Sequence, residues 1–95
     1  MKASDIAKKA AELVSGDRAQ SHGDMADNFG RCADLWSAYL GKRLDTELTA
    51  VDVGNMMALL KIARTQTGEV NADDFVDGAG YLACAGEIAL RVCRR

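Results

Sequence analysis

Asp17, Arg18, Gln20, Ser21, His22 and Asp24 put hydrogen-bond donors, acceptors and both signs of charge into one short run that Gly16 opens and Gly23 interrupts. Polar density of that kind on a loop suits ligand binding. His22 is the chain's single histidine, able to act as acid, base or ligand. The structural alternative has His22 bonding backbone in a tight turn, Gly16 and Asp24 capping helices, and Arg18 pairing with Asp17 or Asp27. A zinc site is not indicated, because no second histidine or cysteine stands at ligand spacing. Asp24 and Asp27 lie where a helix would start, so they occupy the positive end of its dipole and repel phosphate. A phosphate bound there would need Arg18 or a cation.

A second constellation sits further along. Lys61 and Arg64 are three residues apart near the end of one expected helix, and Asp74, Asp77 and Tyr81 follow at helical spacing from the start of the next. If the two helices form an antiparallel hairpin, the basic and acidic pairs share one end. Lys61 breaks the apolar run Ala58-Leu59-Leu60-Lys61-Ile62-Ala63, so it should be half-buried and in need of a partner. Two readings follow. Either the four charges are structural ion pairs, or Lys61 and Arg64 hold phosphate oxygens while Asp74 and Asp77 hold magnesium, a cation that favours carboxylate oxygen. Asn28 and Asn55 border apolar stripes and are further candidates for a ligand or a cross-helix bond. Met56, Met57 and Trp36 read as core.

Helices must position these groups. The spacing of Ile6, Ala7, Ala10, Leu13 and Val14 predicts a first helix from Ser4, as N-cap, to Val14. Met25, Phe29, Cys32, Leu35, Trp36, Tyr39 and Leu40 mark a second over about 24–40, stopped by Gly41. Thr49-Ala50-Val51-Asp52 resembles a capping box and opens a third that runs to about Thr65, with Gly68 closing the unit. Asn71 starts a fourth that continues to about Val92 through Phe75, Val76, Ala79, Leu82, Ala83 and Ala89. Gly78, Gly80 and Gly86 inside it each cost about 1 kcal/mol relative to alanine, which suggests close approach of a backbone or ligand. The expected fold is all-α, an antiparallel four-helix bundle in one domain spanning 1–95.

Composition narrows the roles. With 95 residues, no proline, 48% hydrophobic and 5% aromatic residues, the core must come from small aliphatic side chains, and a monomer would be marginal. A homo-oligomer is the expected state. Twelve basic residues against fourteen acidic ones, a net charge of -2, offer no field for a DNA or RNA duplex. No apolar stretch is long enough for a membrane span, and three cysteines without a CxxC pair read as reduced thiols, so the expected location is the cytoplasm.

Taken in order, Gly16-Asp17-Arg18, His22-Gly23-Asp24, Asn28-Phe29, Trp36-Ser37-Ala38-Tyr39-Leu40, Met56-Met57, Leu60-Lys61, Ala63-Arg64, Asp77 and Gly80-Tyr81 resemble an uncharacterised all-helical domain of phages and prophages. The resemblance runs from about Ala10 to Glu87 and implies the host cytoplasm. In layout that domain is distantly similar to MazG-like nucleoside triphosphate pyrophosphohydrolases and to a nucleotide-modification-associated phage domain. MazG-like enzymes hold magnesium around a triphosphate with paired acidic motifs, in dimers or tetramers. Asp74-Phe75-Val76-Asp77 matches one such pair, whereas Asp52-Val53-Gly54-Asn55 departs from the other by ending in a neutral amide. The resemblance therefore implies binding of a phosphorylated nucleotide or nucleotide-derived molecule more directly than hydrolysis. The expected ligand set is Arg18, His22, Asn28, Lys61, Arg64 and Tyr81, with Asp24, Asp74 and Asp77 for Mg2+. The alternatives are a magnesium-dependent pyrophosphohydrolase and a small interaction protein without ligand.

Overall fold

The computed structural model describes residues 1–15 and 24–93, and these form four α-helices and one 3-10 turn: α1 (Ala3–Val14), α2 (Met25–Leu40), the turn Gly41–Arg43, α3 (Ala50–Arg64) and α4 (Ala72–Cys93). The loop expected between the first two helices, with Arg18 and His22, lies outside the described residues, as does the side chain of Val92. Among the described residues the chain is all-helical.

Local chemistry sets most boundaries. Asp24 caps α2 by accepting from the backbone N–H of Asp27, and Gly41 stops it with φ of 52°, a conformation open to glycine. Thr49 and Asp52 form the expected reciprocal box at the head of α3, with the Thr49 N–H donating to Asp52 Oδ2 at 2.8 Å. Asn71 Oδ1 accepts from the Asp73 N–H at 3.0 Å where α4 begins. The start of α1 departs from expectation. Ser4 is inside the helix, and the cap is Lys2, whose backbone N–H donates to Asp5 Oδ2 at 3.0 Å.

α3 and α4 form an antiparallel hairpin, and their contact is the most extensive in the molecule; α1 rests on α4 and α2 on α3. The hairpin closes tightly because α3 carries Gly54 where the helices meet. A Cβ added there would lie 2.8 Å from Ala85 Cβ, 3.2 Å from the Phe29 ring and 3.2 Å from the Tyr81 carbonyl oxygen. The glycines expected to mark close approach, Gly78, Gly80 and Gly86, are less confined. A Cβ on Gly80 or Gly78 would make ordinary contact at 3.4 Å, and Gly86 faces open space.

The described core is small. Its buried hydrophobic residues are Ala10, Ala33, Val53, Ala58, Val76, Ala85 and Ile88, and no large side chain is fully buried. Several residues expected inward are exposed instead: Ala7 and Val14 on α1, Leu35 and Tyr39 on α2, Met56 on α3, and Phe75, Ala79, Leu82 and Ala83 on α4. The physical reason is that each helix has an apolar arc wider than the one or two neighbours it meets. A Cα radius of gyration of 14.4 Å exceeds the about 12 Å of a compact domain this long, in keeping with those uncovered faces.

Gly54→Ala should lower stability by about 1–3 kcal/mol despite alanine's better helix propensity, since Ala85 and the Tyr81 backbone cannot swing away. Gly30→Ala in α2, where an added Cβ meets nothing within 4 Å, should raise it by roughly 0.5–1 kcal/mol. Urea denaturation of the two variants beside the parent protein checks the opposite signs.

Candidate functional site

The hairpin brings the expected basic and acidic pairs together at its closed end. Lys61 Nζ lies 3.1 Å from Asp77 Oδ2, and Arg64 Nε lies 3.4 Å from Asp74 Oδ1. Both bonds run from α3 to α4, one turn apart, which is the register of an antiparallel pair. Lys61 is nearly buried, as its place in an apolar run requires, with a side chain 15% exposed. Asp74 is the buried charged residue of the described chain, and the Arg64 side chain above it keeps 59% of its surface in water.

Partners decide what these groups are able to do. Each carboxylate faces a cation at hydrogen-bonding range, so neither pair presents the bare charge that a phosphate or a magnesium ion would seek. Asp73 adds a further acid in the first turn of α4, next to Arg64's partner, and makes that end still less attractive to phosphate. The remaining expected metal ligand, Asp24, is engaged in capping α2. No group of three or more histidine, cysteine, aspartate or glutamate side chains among the described residues is arranged to hold a metal ion. Asp24, Asp74 and Asp77 are thus not brought together, because Asp24 caps one helix while the other two pair with a hairpin that α2 meets from the side.

The other expected ligand residues also have structural employment. Tyr81 is half-buried with its ring centroid 6.2 Å from that of Phe29, a tilted aromatic contact that joins α4 to α2. Asn28 precedes Phe29 on α2, and its Oδ1 accepts from the Arg31 guanidinium. Asn55 is exposed on α3. Asp52, the nearest match to a first metal-binding acid, is held in the cap of α3.

A different concavity lies at the far end of α2. Asp34, Ser37, Ala38, Gly41, Leu44, Asp45, Thr46 and Glu47 line an open groove of about 460 Å³, fixed in shape by the Leu48 N–H donating to Ser37 Oγ at 2.8 Å. It carries three carboxylates and no cation, so phosphorylated ligands are repelled from it. Burial pushes the Cys32 thiol above its ordinary pKa, which keeps it protonated at neutral pH.

Sequence reasoning missed the uncharged surface of the hairpin. Phe75, Leu82 and Leu90 on α4, with Leu59, Leu60 and Ile62 on α3, are exposed. A signal was present: Met56-Met57-Ala58-Leu59-Leu60 is apolar over more than a full turn, and such a run cannot turn every side chain to one neighbour.

Comparison with known proteins places these features. A family model described as a domain of unknown function, DUF6378, matches residues 5–89. The chain is 45% identical over 76 residues to the Gene 55 protein of Mycobacterium phage L5, which covers 80% of this chain and 47% of that protein. It is 39% identical over 83 residues to the Gene 55 protein of Mycobacterium phage D29, covering 87% and 52% respectively. It therefore spans about half the length of these relatives. No solved structure matches it.

If the hairpin charges serve structure, a double-mutant cycle with Lys61→Met and Asp77→Asn should give a coupling of about 1 kcal/mol that shrinks as salt is raised. Chemical denaturation of the four proteins at low and high salt measures it. A coupling near zero would release both groups for a ligand.

Proposed function

Because this chain belongs to the DUF6378 family, a phage family whose members' shared domain has no known function, its role must be argued from its own surface, and we propose that it is a non-catalytic interaction protein. It works in the host cytoplasm by presenting helical faces to another macromolecule. The observation that carries this reading is the contrast on the hairpin. Lys61, Arg64, Asp74 and Asp77 neutralise one another, whereas large apolar side chains on the same two helices stand in water. Exposed charge costs little and exposed contiguous apolar surface does cost, so the unsatisfied part of the molecule is apolar. Among the described residues no helix is long and apolar enough to cross a membrane.

Arg64 supports a second reading. Its contact with Asp74 is through Nε and most of its side chain is exposed, so its guanidinium fork is accessible to a phosphate. In that reading a phosphorylated nucleotide sits at the hairpin end, with Arg64, Lys61 and Tyr81 joined by Asn28 and, from the loop, Arg18 and His22. The MazG-like version adds Mg2+ on Asp24, Asp74 and Asp77, and it has less support because two of these acids are already ion-paired and the third is a cap.

A single assay separates the three. The purified protein is incubated with a panel of linear and cyclic nucleotides, with and without magnesium, and bound and free species are read by mass spectrometry. We expect neither retention nor cleavage. Stoichiometric retention of one nucleotide would replace the interaction reading with the second, and magnesium-dependent release of pyrophosphate would make the protein an enzyme.

A further inference from the structure

We draw no further inference here: the strongest candidate, the uncovered apolar face of the α3–α4 hairpin around Leu82, carries none because nothing in the structure shows what covers it.

Discussion

The approach of α3 to α4 governs everything else in this protein. Two helices come that close only where one of them lacks a side chain, and Gly54 against Ala85 and the Tyr81 carbonyl supplies the gap. Phe29 of α2 reaches the same point, with its ring against Gly54 and Tyr81, so the second helix is located by the first contact rather than by one of its own. α1 then docks on the opposite flank of α4 through Leu13 and Val14 at Gly80. Small residues at each crossing explain how a chain with so few aromatics builds helix contacts at all.

The ion pairs at the hairpin end work with this packing. Alanine and glycine contacts are smooth and would tolerate sliding, whereas two cross-helix charge pairs one turn apart admit a single register. Asp74 is buried because it lies under Arg64, and Lys61 is half-sequestered because its neighbours in sequence are apolar. Removing one partner from such a pair strands the other in a poorly hydrated place. The pairs therefore read as specificity devices, and the same pairing withholds those charges from a phosphate or a metal ion.

A helix in a small protein has limited company. α3 meets α4 and α2, and α4 meets α3 and α1. Their apolar residues go further round than that. Part of the excess, Phe75 and Ile62, stands level with the ion pairs at the closed end of the hairpin, and none of it lines the acidic groove of α2. The relatives from mycobacteriophages are about twice as long as the matched segment.

Sequence alone determined the helices and most of their caps, that of α1 excepted. Asp24, Gly41, Thr49 with Asp52 and Asn71 act within a turn of themselves, so their effect is readable from spacing. Lys61's need for a partner followed from polarity, and an antiparallel hairpin would set the basic and acidic pairs at one end, but which acid meets which base came only from the structure. Tertiary structure decided which apolar residues are inside. Periodicity marks an arc but not the direction in which it faces, and for α4, apolar on two sides, it could not separate the Val76 and Ile88 side from the Phe75 and Leu82 side. Nor did spacing identify Gly54, whose importance arises only from what another helix places beside it. The candidate ligand set was legible as residue types and illegible as a site, because whether a charge is available depends on its partner, and partners are chosen by packing.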